Sequence, residues 1–469
     1  MSLLRTKPVD PNANLGLRRC LRATDLTLLG IGCIIGTGIF VLTGVVAAQH
    51  AGPAIVLSFL ISGTACAFAA LCYAELASAI GGCGSAYGYA YAGIGELVAW
   101  VIGWILILEY GVAAATVAIG WSGYFAKILS AVGIELPAAW VSSPSEGGIV
   151  NLPAMAIILT LASLLAIGVR ESARFNAVMT FIKLATIFTF IVIAIWYVEP
   201  QNWRPFIPDR IVDADGGGKY GWSGVVTGAA IIFFAYIGFD AVSTAGEEAV
   251  NPQRDLPIGI LSSLVICTLL YISVSAILTG VVPYEQIDLK APVADAMTQL
   301  GLNWAQALVA AGAMAGITTV MLVLYYGLTR IVLAMSRDGL LPGFMARIHP
   351  RTQTPVRLIM GGGSLIALIA GFFPIGRVAE LVNMGTLSAF FLVCASVLVM
   401  RQTKPDMPRP FRVPLAPITP LLGMAFCAWL ALSLPAFTWK AFGSWFALGL
   451  ILYFLYSRKH SRLAGSLAA

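Results

Sequence analysis

The apolar positions of this chain show neither the narrow stripe of a soluble amphipathic helix nor the alternation of a strand. They come in long runs of about 20 residues, the length needed to cross the hydrocarbon core of a bilayer. About twelve runs are read, near 25–49, 53–80, 94–128, 150–169, 174–199, 222–248, 257–282, 302–335, 355–373, 378–400, 414–434 and 440–457. Hydrocarbon offers no partner for an open sheet edge, so runs of this kind close their own hydrogen bonds as helices. The pattern predicts an all-α integral membrane protein with about 12 transmembrane helices.

Within that pattern the first ten spans divide into two sets of five, 25–199 and 222–400, followed by two peripheral helices in 414–457. Residues 1–24 and 458–469 read as tails. The third span of each set is long, and the first span of each set is interrupted by glycine. Span 1 reads Gly30-Ile-Gly-Cys-Ile-Ile-Gly36-Thr37-Gly38-Ile-Phe40, and span 6 reads Phe233-Phe234-Ala235-Tyr236-Ile237-Gly238-Phe239-Asp240. Five is odd, so the second set is expected to be inverted relative to the first. Matching interruptions in two inverted halves point to a solute site at the bilayer midplane. Glycine lets the helix unwind, and the freed N–H and C=O groups must then face protein or a wet cavity. A half-helix starting near Thr37 aims N–H groups and a partial positive charge at that cavity, which suits an anion. Exposed carbonyls of Ile34 and the Phe234–Ile237 stretch suit a cation. An α-amino acid carries both. The plainer alternative is that these glycines only let helices pack closely.

Composition agrees: 59% of residues are hydrophobic and 11% are charged, against roughly 25% charged in a soluble domain. The first 24 residues are polar and basic, and no apolar segment with a cleavage site precedes the first run, which is expected to remain. The net charge of +6 sits in loops. With the N-terminus inside, Lys and Arg on the inner side outnumber those outside by about three to one, which predicts both termini in the cytoplasm. No basic face for a nucleic acid is left once the spans are removed. The eight cysteines form no CxxC pair or Cys/His cluster, so neither a disulfide scaffold nor a metal site is expected.

At these residues the sequence resembles a known family. Gly30 to Phe40 resembles the first-helix signature of the amino acid–polyamine–organocation superfamily. Phe233 to Glu248, with Asn251-Pro252-Gln253-Arg254-Asp255-Leu256-Pro257 after it, resembles its sixth helix and following loop, and Ser336-Arg337-Asp338-Gly339-Leu340-Leu341-Pro342 resembles the loop after its eighth. Within the superfamily the chain is most similar to the cationic amino acid transporter family, in a bacterial form without two extra C-terminal spans. The resemblance implies a LeuT-like fold of five-plus-five inverted repeats with helices 1 and 6 unwound. It implies a multi-pass protein of the plasma membrane that moves a small L-amino acid by alternating access. It implies binding of the substrate carboxylate by the backbone of Thr37 and Gly38, and of its amino group by carbonyls of Ile34, Phe234, Ala235 and Ile237. Phe234 is implied as an outer gate. Ile35, Gly36 and Tyr236, which complete the two interruptions, join the expected substrate site. A side chain at Gly38 is expected to fill the ligand's space. If span 8 lines the pocket, as the resemblance implies, the face Met321, Leu324 and Tyr325 limits substrate length and favours small neutral side chains.

Charges inside spans are costly and become functional candidates. Glu109 lies mid-span 3, Lys183 mid-span 5 and Asp240 in span 6. Asp240 reads either as a cap on the broken helix or as a partner for a cation. Glu109 reads either as an acid of the side-chain pocket or as a structural partner. Glu75, Glu247 and Glu248 read as interfacial groups that bind loop N–H groups or arginines, and Tyr87, Tyr89 and Tyr91 as packing. Lys183 either ties helices together or, where the resemblance places it, stands in for the sodium ion that bridges spans 1 and 8 in related transporters. Burial disfavours a charged ammonium, so Lys183 can exchange a proton during a cycle. These readings favour proton-coupled symport, with a sodium-independent exchanger or facilitator as the alternative. The expected partners are a small L-amino acid, protons and membrane lipid, with no cofactor. A membrane enzyme built on Glu109 and Asp240 is disfavoured because the chain has no HExxH or GxSxG motif. No Walker A motif marks a primary pump.

Overall fold

The computed structural model describes residues 5–7, 19–80, 85–131, 133–212, 218–289, 291–373, 375–432, 434 and 436–465. Each apolar run becomes helix. Span 1 is in two pieces, Ala23–Ile34 and 38–51. Spans 2 to 5 are Ile55–Ile80, Glu96–Ala131, Leu152–Ile167 and Val169–Ala194. Span 6 begins as Gly221–Ile232, and spans 7 to 10 are Pro252–Val281, Asn303–Arg337, Val356–Phe372 and Ile375–Thr403. Spans 11 and 12 are Ile418–Leu432 and Ala436–Leu452, the latter running on in helical turns to His460.

Three features depart from the pattern read along the chain. The span read over 222–248 is interrupted where glycine was expected to break it, but no α-helix resumes after the break: the α-helix ends at Ile232 and only 3-10 turns follow, Phe233–Tyr236 and Asp240–Ala245. Short helices Ser85–Gly93 and Pro292–Gln299 precede spans 3 and 8 where loops were expected. A two-residue antiparallel ladder pairs Ile211 with Lys219 and Val212 with Gly218 in the connection before span 6.

Packing follows a rule. Spans 2 and 7, 3 and 8, and 4 and 9 pack against each other. Span 3 also packs on span 10 and span 8 on span 5, while span 2 packs on span 6 and span 7 on span 1. Exchanging each of the first five spans with its counterpart five further on leaves this set unchanged. Spans 11 and 12 lie outside it, against spans 2, 3 and 10. Span 12 is held by indoles: Trp104 stacks on Trp100 and on Trp445, centroids 5.6 and 4.4 Å apart. Span 5 is polar inward and apolar outward. Val178, Phe181, Phe188 and Val192 are exposed to the bilayer side, whereas Asn176, Thr180 and Lys183 are buried.

At the face carrying Arg5 and Ser461, the terminal face, two carboxylates gather the segment ahead of span 1 and the segment after span 12. Glu96, at the start of span 3, accepts from Arg5 Nη2 (3.1 Å), Tyr453 OH (3.0 Å), Tyr91 OH (3.1 Å) and Ser461 Oγ (2.5 Å). Asp338, just past span 8, takes Lys7 Nζ at 2.6 Å and Tyr87 OH at 2.7 Å, and its carbonyl takes the Arg462 N–H at 3.0 Å. Tyr87 and Tyr91 therefore do more than pack. The tail also ties spans 1 and 6: the N–H groups of Cys20 and Leu21 donate to Glu248 O (2.8 and 2.9 Å), and Val250 N–H donates to Leu21 O (2.8 Å).

Candidate functional site

The break in span 1 is local. After Ile34 the backbone turns extended at Ile35 (φ −77°, ψ 105°), and helical geometry resumes at Thr37 (φ −55°, ψ −27°). The resumed helix starts with wide π turns over Gly38–Leu42, a geometry common at functional sites. Thr43 Oγ1 lies near the carbonyls of Gly38 (3.1 Å) and Ile39 (2.9 Å) that this winding displaces. By helix geometry the first N–H groups of this segment have no intrahelical acceptor. In span 6 the turn is made at Ile237 (φ −58°, ψ 131°) and Gly238 (φ +118°), a conformation side chains rarely adopt.

The two breaks touch. A Cβ on Gly38 would overlap the Ala235 side chain and come within 2.7 Å of Ala235 Cα. The missing side chain of Gly38 therefore makes room for span 6, a contact the sequence reading did not foresee.

Between the breaks lies a cavity of roughly 10 Å³, about the space of one water molecule. The backbone of Ile34, Gly36, Thr37 and Gly38 forms one wall, and Phe234, Ala235 and Ile237 form the opposite one. Ala113 and Val117 of span 3 and Val320 and Leu324 of span 8 close the sides. Of the substrate-site residues expected from sequence, Ile35, Tyr236 and Glu109 are off this wall. The Ile35 carbonyl turns to Lys183, Tyr236 OH donates to Phe59 O of span 2 (2.9 Å), and Glu109 Oε1 accepts from Thr386 of span 10 (2.7 Å). On span 8 the lining face is Val320 and Leu324, one turn apart. Tyr325 instead bonds Ile359 O of span 9, and Met321 is buried away from the cavity.

Two side chains tie the breaks to the rest of the protein. Tyr271 OH of span 7 is 2.7 Å from Ile34 O and 2.8 Å from Ala235 O. One hydroxyl proton serves two carbonyls, one from each break. Phe234 O takes the Ile237 N–H (3.2 Å). Lys183 Nζ donates to Gly32 O, Ile35 O and Thr319 Oγ1, each at 2.8 Å. Thr319 Oγ1 in turn lies 2.9 Å from Gly32 O. The ammonium thus joins span 5 to the break in span 1 and to span 8, all three of its protons used.

Asp240 sits at the other break. Its Oδ1 accepts from the Gly238 N–H (3.2 Å), and its other oxygen accepts from Tyr110 OH of span 3. Of the two readings open for Asp240, the geometry is that of the cap. Glu109 Oε2 has no hydrogen-bond partner among the described residues. The remaining acids pair with arginines or loop N–H groups. Glu75 binds Arg401 (2.5 Å) and the Val413 N–H (2.7 Å), Glu247 binds Arg337 (3.2 Å), and Glu248 binds Arg330 (2.9 Å).

Sequence reasoning missed Tyr271, Thr319, Val320, Ala113 and Val117. For Tyr271 a signal existed: a tyrosine mid-span is out of place, since the residue favours membrane interfaces. For the others nothing distinguished lining from lipid-facing positions.

The comparisons agree with this geometry. The family model for amino acid permeases matches residues 21–455. The chain is 48% identical to a methylthioribose transporter of Bacillus subtilis, over 98% of this chain and 99% of that one. It is equally 48% identical to the branched-chain amino acid permease BcaP of the same organism, over 95% of each chain. It is 39% identical to human cationic amino acid transporter 4, over 87% of this chain and 64% of that one. A chain matched by the family model over nearly its whole length, with two broken spans around a shared cavity, is a transporter and not an enzyme: it belongs to the amino acid permease family.

Proposed function

We propose that this protein imports small apolar L-amino acids across the plasma membrane by proton-coupled symport, with both termini in the cytoplasm. The observation that carries coupling is Lys183, whose ammonium bridges spans 1 and 8 through Gly32 O, Ile35 O and Thr319 Oγ1. A fixed ammonium there removes the need for a sodium ion, and its loss of a proton frees the span 1 carbonyls to move. The exchange rule among packed spans supports two inverted repeats, 25–199 and 222–400, that rock about a fixed site.

The substrate's carboxylate meets the first N–H groups of the helix resumed at Thr37, and its ammonium meets the carbonyls of Ile34 and Ala235. Tyr271 OH lies on those same carbonyls, so it yields to the ammonium or shares the carbonyls with it. Phe234 closes the outer side. The side chain enters between Ala113, Val117, Val320 and Leu324. No charge lines that wall, and a buried guanidinium without a partner would be costly. Small or branched apolar side chains fit, as in the branched-chain permease it resembles. The wall also admits an uncharged thioether, so methylthioribose is the second candidate, favoured by a relative that matches end to end.

The test is uptake in proteoliposomes, with the twenty amino acids and methylthioribose competing against labelled alanine and valine. Inhibition by small neutral amino acids, and accumulation driven by a proton gradient without sodium, are expected. Competition by methylthioribose alone, a requirement for sodium, or strong arginine transport would refute the proposal. Leu324→Ala is expected to admit longer side chains.

A further inference from the structure

Along span 5, one polar stripe continues from Lys183 toward the terminal face. Asn176, Thr180 and Lys183 recur at i, i+4 and i+7, so they share one side of the helix. All three are buried. Lys183 has its full set of acceptors, but Asn176 Oδ1 and Thr180 Oγ1 have no hydrogen-bond partner among the described residues. Buried polar atoms without a partner are rare and call for an explanation. A threonine hydroxyl and an asparagine carbonyl oxygen buried inside a span without partners cost stability in this conformation.

The residue that covers them is Gly32. A Cβ on it would lie 2.6 Å from Asn176 Oδ1 and 3.0 Å from Thr180 Oγ1. Gly32 also gives its carbonyl to Lys183 Nζ at 2.8 Å. One residue of span 1 therefore does two things: it supplies an acceptor to the ammonium and seals two other acceptors on the same helix face. When the inner half of span 1 moves off, both change together. Lys183 loses the Gly32 carbonyl, and water reaches Asn176, then Thr180, from the exposed end of span 5 at Arg174. The titratable groups facing Lys183 are the thiols of Cys33 on span 1 and Cys267 on span 7, and span 8 offers the Thr319 hydroxyl. None of these opens a path toward the terminal face.

We propose that Thr180 and Asn176 are the proton exit of Lys183, shut by Gly32 in this conformation and opened when the inner half of span 1 swings away. This rests on Lys183 as the coupling group. In the step itself the N–H bond at Nζ breaks, its electron pair stays on the amine, and the proton passes to water hydrogen-bonded to Thr180 Oγ1 and on to the cytoplasm. Asn176 holds the next water. Both are positioning residues, since neither touches substrate.

The test compares Thr180→Val, Thr180→Ser, Asn176→Leu and Lys183→Ala with wild type in proteoliposomes. Thr180→Val and Asn176→Leu are expected to slow proton-driven uptake about tenfold, the scale of one lost hydrogen bond on a rate-setting step. Exchange of labelled for unlabelled substrate at equal pH should stay within about twofold of wild type, because that half-reaction returns without deprotonation. The dependence of uptake on internal pH should flatten in both variants, and Thr180→Ser should restore it. If Thr180→Val does not fold, Thr180→Ala carries the same comparison. Uptake at the wild-type rate in both variants overturns the assignment, as does an equal fall of uptake and exchange. Accumulation by Lys183→Ala would sink the coupling reading and the exit with it. Loss in Lys183→Ala alone would sink only the exit.

Discussion

The two breaks look alike in sequence but are secured differently. Span 1 is held from outside, by an ammonium on span 5 and a hydroxyl on span 8. Span 6 is held partly from within, by Asp240 folding back on the Gly238 N–H, and partly by hydroxyl contacts to spans 2, 3 and 7 through Tyr236, Tyr110 and Tyr271. A break tied to neighbours through a group that can gain or lose a proton responds to the state of that proton. A break capped by its own side chain keeps its shape. On the proposed coupling through Lys183, switching would belong to span 1 and shape to span 6, with Tyr271 OH touching a carbonyl of each break.

Removing the ammonium breaks this contrast at its root. Lys183→Ala should reduce proton-driven accumulation to background while the purified protein stays monodisperse; a variant that still concentrates substrate would leave span 1 no different from span 6. Forcing the breaks apart comes next. Gly38→Val drives a branched side chain into Ala235, and overpacking of this kind costs about 1–3 kcal/mol. We expect a lower thermal midpoint and no further rise on adding substrate, and wild-type behaviour would contradict the contact. Tyr271→Phe is subtler. It frees the Ile34 and Ala235 carbonyls at a cost near 1–3 kcal/mol for the unliganded protein. Because the substrate's ammonium can satisfy the same carbonyls, the substrate-induced rise in midpoint should be larger than in wild type; a smaller rise would mean that the hydroxyl helps to bind. The least effect is expected for Asp240→Asn. An amide oxygen still accepts from Gly238, so we expect a loss below about 1 kcal/mol and an unchanged pH profile of uptake. A shifted profile would give span 6 a share in switching.

The large features were legible in the sequence because the bilayer imposes them. Span length, glycine interruptions and a lone mid-span lysine are one-dimensional signals, and each has its counterpart in the fold. Which wall a residue faces is not such a signal, since lipid and protein interior are both apolar. Met321 and Tyr325 were therefore read onto the pocket, where Val320 lies instead. Glu109 was read there because buried charge attracts a functional reading, yet it turns toward span 10. The approach of Ala235 to Gly38 was not legible either, since it joins two spans far apart in sequence. The 3-10 course of 240–245 depends on the cap at Asp240 and on its partner Tyr110, 130 positions away in sequence.

The Glu96 carboxylate carries one last consequence. Arg5 lies 3.1 Å from it and Ser461 2.5 Å, so a segment ahead of span 1 and a segment after span 12 meet at a single group. Segments this close permit circular permutation. A short flexible linker can join Arg5 to Ser461, and new termini can be cut between Arg351 and Gln353, both exposed. All four ends then lie on one side of the membrane, and the order of synthesis becomes spans 9 to 12 followed by 1 to 8. Such a chain would separate the order in which helices are made from the order in which they pair.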